Sequence, residues 1–202
     1  IVRGYVSSLQ SIFWSDPMRS EEQLAADLAD SDYGQICTVN PTLPQVERYI
    51  EEAVARFGIK AVRICPGYHG YHLDDPAVME PLRRALCRHG LPLYITVQLE
   101  DPRLEYIVRA REIQVPELRA AADLLADVKI LYDFMQAGDL EVMADLINNR
   151  DNVYADTAGF RGPAGVLEYI LEHVDSRKLL YGSAYTLYTL RSSLSCIEPV
   201  SY

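Results

Sequence analysis

The chain has 202 residues, of which 49% are hydrophobic and 24% charged. This excludes a disordered polymer and leaves enough apolar material for one large core. Its 29 acidic against 19 basic residues give a formal charge of -10, spread along the chain, which repels phosphate backbones and argues against a nucleic-acid partner. No apolar run is long enough to cross a bilayer, and no basic and apolar leader opens the sequence, so no membrane partner is expected.

Ahead of Tyr33 the sequence offers a weak strand over Ile1–Val6, a loop with Phe13 and the sole tryptophan, Trp14, and one helix. Ser20 and Gln23 match a capping box for that helix, with Leu24, Ala25 and Leu28 on its apolar face. From Tyr33 onward short β-rich runs alternate with amphipathic ones. The strand candidates are Tyr33–Val39, Lys60–Cys65, Leu91–Gln98, Val128–Phe134, Asn152–Thr157 and Lys178–Ser183. Between them, Pro44 can open a helix with Val46, Ile50, Ala53, Val54 and Phe57 on one face. Pro76 opens a second, with Val78, Met79, Leu82 and Leu86, closed by His89-Gly90. Pro116 opens a third, Leu140, Met143, Ala144 and Ile147 mark a fourth, and Pro163 opens the last. No well-formed helix follows Ser183.

Alternating strands and helices with crossovers of this length demand parallel strands. Runs apolar on both faces, such as Ala61 to Cys65, call for cover on both sides. The fold class is therefore α/β in a single domain over 1–202, and a closed (β/α) barrel and an open doubly wound sheet both satisfy the periodicity. The four cysteines, Cys37, Cys65, Cys87 and Cys196, show no C-x-x-C or zinc spacing. Cys37 and Cys65 sit in strand-like runs, so free thiols and a reducing cytoplasm are expected.

Four segments decide between the two architectures. They are Phe57-Gly58-Ile59-Lys60-Ala61-Val62-Arg63-Ile64-Cys65-Pro66, His89-Gly90-Leu91-Pro92-Leu93-Tyr94-Ile95, Asp151-Asn152-Val153-Tyr154-Ala155-Asp156-Thr157, and Arg177-Lys178-Leu179-Leu180-Tyr181-Gly182-Ser183-Ala184-Tyr185-Thr186. Together with Thr38-Val39-Asn40-Pro41, and in this order, they resemble the amidohydrolase-2 (amidohydrolase-related) family, over about Gln35 to Thr186. The resemblance implies a (β/α)8 barrel of the TIM type and metal-dependent hydrolysis or non-oxidative decarboxylation of small organic acids and lactones. Against that fold the third to eighth strands are legible, the second is missing and the first uncertain. The expectation is a barrel incomplete at its N-terminus and after its last strand, with segments lying outside this sequence.

The family's metal ligands are where this sequence departs. No His-x-His pair is present. Thr96 stands at the fifth-strand histidine, Asp133 or Phe134 at the sixth-strand histidine, and Ala184 at the eighth-strand aspartate. Such side chains do not assemble the convergent N and O donors of a divalent site, so no cofactor is expected. Zinc or manganese enters only if further ligands lie in segments absent here.

In a parallel barrel the functional groups collect where strands end. His69 and His72, in the loop after Lys60–Cys65, read as acid/base or carboxylate-binding groups, or as part of a polar turn in which Asp74 or Asp75 caps the next helix. Arg63 needs an anion, either a structural partner (Asp133 or Asp156) or a bound carboxylate. Gln98 follows Thr96 on the same strand face. Asp101 and Arg103 read as a ligand-facing pair or as a helix cap with a local ion pair. Asp156 reads as structural, and Cys65 as a buried thiol or a weak nucleophile. The candidate catalytic residues are thus His69 and Asp133, and the candidate substrate-binding residues Arg63, His72, Gln98 and Arg103. The expected partner is a small anionic molecule, with a homo-oligomer possible. The competing readings are an active metal-dependent enzyme and a non-catalytic barrel used for binding or assembly.

Overall fold

Strands with apolar residues on both faces have no side to offer water, and here they pair with one another and are covered by helices. The computed structural model describes residues 4–100, 109–160 and 165–197. In chain order the elements are β1 (Tyr5–Ser7), α1 (Gln10–Phe13), α2 (Pro17–Leu28), β2 (Gly34–Thr38), α3 (Val46–Phe57), β3 (Ala61–Ile64), α4 (Pro66–His69), α5 (Pro76–His89) and β4 (Leu93–Thr96). They continue as α6 (Val115–Leu124), β5 (Ile130–Asp133), α7 (Ala137–Asn149), β6 (Val153–Asp156), α8 (Val166–Leu171), β7 (Leu179–Leu180) and α9 (Leu190–Ser195). The seven strands form one parallel sheet in sequential order, β1 to β7. That order, with helices in the crossovers, is a curled half-barrel, an incomplete (β/α) barrel. Among the described residues β1 and β7 do not pair with each other.

The weak strand expected over Ile1–Val6 is present as β1, shifted toward Ser7, and completes seven described strands. Tyr5–Ser7 pairs in parallel with Gly34–Ile36 and fills the place beside β2 for which the sequence offers no clear strand. Two helix starts also differ. Asp16, not Ser20, caps α2, its carboxylate accepting from Met18 N at 3.1 Å. Ser20 lies inside the helix, where its hydroxyl donates to the Pro17 carbonyl at 3.1 Å. Pro44 lies ahead of α3, whose N-cap Gln45 is left-handed at φ 70°. Pro76 does open α5, with Asp75 capping Ala77 N at 2.9 Å, and Gly90 ends it at φ 63°. Pro116 lies in the first turn of α6, and Pro163 lies outside the described residues.

The main core lies between sheet and helices. Cys37, Val62, Ile64, Leu93, Ile95, Tyr132 and Ala155 face outward onto Ile50, Leu82, Leu86, Leu118 and Ile147. The opposite strand face, at i±1, lines the inside of the half-barrel. Its top layer is polar, and an apolar cluster of Ile12, Cys65, Leu99, Phe134 and Ala158 packs beside it. No described helix is long and apolar enough to cross a membrane.

Candidate functional site

Strand periodicity and register bring Ser7, Thr38, Arg63, Thr96, Asp133 and Asp156 to the C-terminal ends of β1 to β6. Arg63 binds across this row. Its Nε donates to Thr96 Oγ1 at 2.6 Å, its Nη1 donates to Ser7 Oγ at 2.7 Å, and its Nη2 lies 3.1 Å from Asp133 Oδ2. The Thr96 hydroxyl in turn donates to Asp133 Oδ2 at 3.2 Å. Arg63, Thr96, Asp133 and Asp156 are all buried, with no more than 7% of their surface exposed.

The Nη2 group stands out within this network. Despite its proximity to Asp133, it makes no well-directed hydrogen bond and is buried. Burial works against the charge of Arg63, but Asp133, with smaller help from Cys65, Asp156 and Tyr68, outweighs it and holds the guanidinium above its ordinary value. Asp156 goes the other way. Burial first, and then the neighbouring Asp133 carboxylate, push its carboxyl well above the usual range. Both causes favour the protonated form of Asp156 over a second carboxylate beside Asp133. Its Oδ1 accepts from Phe134 N at 3.3 Å and Ala158 N at 3.1 Å. Phe134, at φ 62°, turns the chain out of β5 directly after Asp133 and lays its ring 5.8 Å from the Arg63 guanidinium carbon. One layer below, burial and then the two aspartates push the Tyr94 phenol up to about 12.

The remaining candidates stand elsewhere. His69 does not hydrogen-bond to Asp133. It closes α4 and donates from Nε2 to the Ile12 carbonyl at 3.0 Å. Burial holds its imidazole below the ordinary value, partly offset by that carbonyl. His72 is exposed and turns away from the strand ends, its Nδ1 3.2 Å from Glu117 Oε2 on α6. Gln98 follows β4 but pairs with Gln136, which donates from Nε2 at 3.1 Å. Arg103 and Asp101 lie outside the described residues. Cys65 is fully buried and its thiol is pushed up by that burial, which removes it as a nucleophile.

A divalent cation does not fit the strand-end row. A guanidinium stands among its oxygens, burial and Asp133 hold the Asp156 carboxyl toward its protonated form, and among the described residues no histidine joins the row. Among the described residues, the His, Cys, Asp and Glu donors close enough to share an ion are His72, Asp74 and Glu117. They lie away from the row, and both Glu117 oxygens are taken by Arg111, Nη1 at 2.6 Å and Nη2 at 2.8 Å.

Two participants were not singled out from the sequence as functional, and both left a trace there. Asp156 ends its strand as Asp133 does, on the adjacent strand. Glu21 sits three and four residues before Leu24 and Ala25, so it shares the inward face of α2. It is fully buried and accepts from Ser11 Oγ at 2.6 Å, Gln35 Nε2 at 2.8 Å and Thr38 N at 3.1 Å.

Comparison with known proteins agrees with this architecture. A family model described as amidohydrolase matches residues 19–199. No curated protein matches by sequence. Among solved structures, 5-carboxyvanillate decarboxylase of Novosphingobium aromaticivorans, with bound manganese and a nitrobenzoic acid, superposes with a TM-score of 0.69 at 17% identity, over 96% of this chain and 70% of that one. A Pseudomonas putida protein provisionally described as a 2-pyrone-4,6-dicarboxylic acid hydrolase gives 0.63 at 15% identity, over 97% and 74%. Dihydroorotase of Campylobacter jejuni gives 0.55 at 12%, over 93% and 66%. At these identities the likeness is one of fold.

Proposed function

The chain belongs to the amidohydrolase family, and from that premise we propose that it binds a small organic acid at the C-terminal ends of its strands without a divalent cation. One observation carries this reading: the Arg63 Nη2 group is buried without a directed hydrogen-bond acceptor. A buried donor whose hydrogen bond is poorly directed forgoes part of the roughly 1–3 kcal/mol at stake, which a well-placed carboxylate oxygen would recover through a charge-assisted bond. Asp156 helps because burial and Asp133 favour its protonated form, which lessens the repulsion of an incoming anion. The Phe134 ring, 5.8 Å from the Arg63 guanidinium carbon, stands beside the site. Asp133, 3.1 Å from Arg63 Nη2, is the carboxylate placed to exchange a proton with the bound acid.

The test combines metal analysis with calorimetric titration of benzoate and related small carboxylates, before and after an uncharged chelator. Substoichiometric metal and binding that survives chelation are expected. Binding should vanish in an Arg63→Met, Asp133→Leu double variant whose melting is retained. Stoichiometric zinc or manganese, with binding lost on chelation, would overturn the reading in favour of a metal-dependent hydrolase or decarboxylase. Absence of any carboxylate binding would favour a non-catalytic barrel.

A further inference from the structure

Beside the strand-end row, the loop after β1 and the exit of β2 enclose a second, separate space. It is a cleft of about 220 Å³, lined among others by Phe13, Trp14, Asn40, Leu43 and His69. Ile12 forms its inner wall and packs on its other side with Cys65 and Phe134. Three features of the cleft are unusual for this chain.

The first is charge. In a protein with 29 acidic and 19 basic residues, no lining residue of this cleft is an acid, a lysine or an arginine. His69, the one titratable group, is held toward its neutral form by burial, with Nε2–H committed to the Ile12 carbonyl. Arg19 lies over the Trp14 ring at 5.6 Å, but it lines the neighbouring groove between α2 and α3.

The second is exposed aromatic surface. Phe13 and Trp14 are 64% and 41% exposed. The Phe13 ring is held edge-on to Tyr68 at 5.7 Å. Apolar rings at the rim of a concave site offer surface for a ligand to cover.

The third is a directed polar group. Asn40 Oδ1 accepts from Thr42 N at 3.0 Å and from Thr42 Oγ1 at 2.8 Å. The backbone donor fixes which end of the amide is oxygen, and among the described residues Nδ2 is left with no acceptor. The Ser11 hydroxyl, by contrast, is turned away to Glu21.

We propose that this cleft binds an uncharged, single-ring aromatic compound bearing a carbonyl group, of the aromatic amide class. The ring would lie against Trp14 and Phe13, and the carbonyl oxygen would accept from Asn40 Nδ2. A cavity of roughly 150 Å³ suffices for benzene, so the volume here admits one substituted ring. An anion is disfavoured because nothing in the cleft would pair with it. The site is independent of ligand binding at Arg63.

Trp14 is the only tryptophan, so its emission reports on the cleft directly. Titration of the protein with benzamide should give a saturable change in that emission, with benzoate about tenfold weaker or more at the same site. Leu43→Arg, which puts a charge into the cleft, should abolish the response. Asn40→Ala should weaken it several-fold, and serves if Leu43→Arg proves unstable. The Arg63→Met, Asp133→Leu variant should respond to benzamide as the parent does, which separates failure here from failure at the strand ends. The proposal is overturned if benzamide gives no saturable change, if benzoate binds equally well, or if both cleft variants respond like the parent.

Discussion

Gly182 lies directly against the carboxyl group of Asp156. A Cβ at position 182 would come within 2.8 Å of Asp156 Cγ and of the Ala158 methyl, and closer still to Asp156 Oδ2. The missing side chain just after β7 is what lets a carboxyl group stand at the end of β6. Gly182→Ala is therefore expected to destabilise by about 1–3 kcal/mol through overpacking. Gly138, in α7, has open space where a Cβ would stand, with nothing within 4 Å of it, and Gly138→Ala should stabilise by about 0.5–1 kcal/mol. Urea unfolding of the two variants should shift the midpoint in opposite directions.

The same carboxyl group sets a pH dependence. Asp156 is raised well above 3.8 in the folded protein, by burial first and Asp133 second. A group that holds its proton more tightly when folded contributes its full stability below the unfolded value, and loses it as pH rises through the folded value. Asp156→Asn is neutral at every pH and keeps an oxygen for Phe134 N and Ala158 N. The stability of the parent relative to this variant should fall over the range from about pH 4, the unfolded value, upward. Carboxylates held low by their partners, such as Glu47 beside Arg84 and Asp145 beside Arg119, trend oppositely, but they are common to both proteins and cancel. Paired thermal melts across that range check this, and parallel curves would count against a neutral Asp156.

The parallel strands were legible because burial on both faces leaves apolar residues on both sides of the alternation, as in Ala61, Val62, Ile64 and Cys65 around Arg63, and because Pro76, Gly90 and Pro116 mark helix ends by their backbone chemistry. β1 was the weak point. It has three residues, and its end residue Ser7 is identified only by the hydroxyl it offers Arg63 from 56 positions away. Arg63 could be placed beside Asp133 because a guanidinium inside a barrel needs an anion. The separation of His69 from Asp133 could not be read, because nothing in the loop spacing says that His69 closes a one-turn helix and bonds back to Ile12. Ser20 misled for a local reason: Ser-x-x-Gln is a capping pattern, but Asp16-Pro17 four residues earlier is a stronger start.

Arg63 and Asp133 are coupled. Removing one member of a buried ion pair leaves the other charged and unmatched, at a cost of about 3–5 kcal/mol. Arg63→Met alone also strands the Ser7 and Thr96 hydroxyls and should fall in that range. Asp133→Leu alone leaves Arg63 without its ion-pair partner and should be comparably harmful. The double variant removes both charges together and should be markedly more stable than the sum of the single losses predicts. A double-mutant cycle by urea unfolding measures the difference, and strict additivity would mean that the pair does not act as a unit.

Glu21 ties the loop over the barrel mouth to the sheet behind it. One buried carboxylate takes hydrogen bonds from Ser11 in α1, Gln35 in β2 and the backbone of Thr38 at the end of β2. Burial raises its pKa, and those three donors work against the rise. Glu21→Ala removes the common acceptor and leaves buried donors unmet, each worth about 1–3 kcal/mol where water cannot replace the lost bond. Because Ser11 loses its anchor, the damage should concentrate in the turn that carries Ile12, Phe13 and Trp14. The expected signature is a red shift of Trp14 emission and faster amide exchange over residues 10–14, together with a lower melting temperature. Glu21→Gln keeps an oxygen for Thr38 N and should show a smaller effect on both readouts. A variant that melts lower but leaves the Trp14 emission unchanged would place Glu21 in the packing of α2 alone, and not in control of the loop.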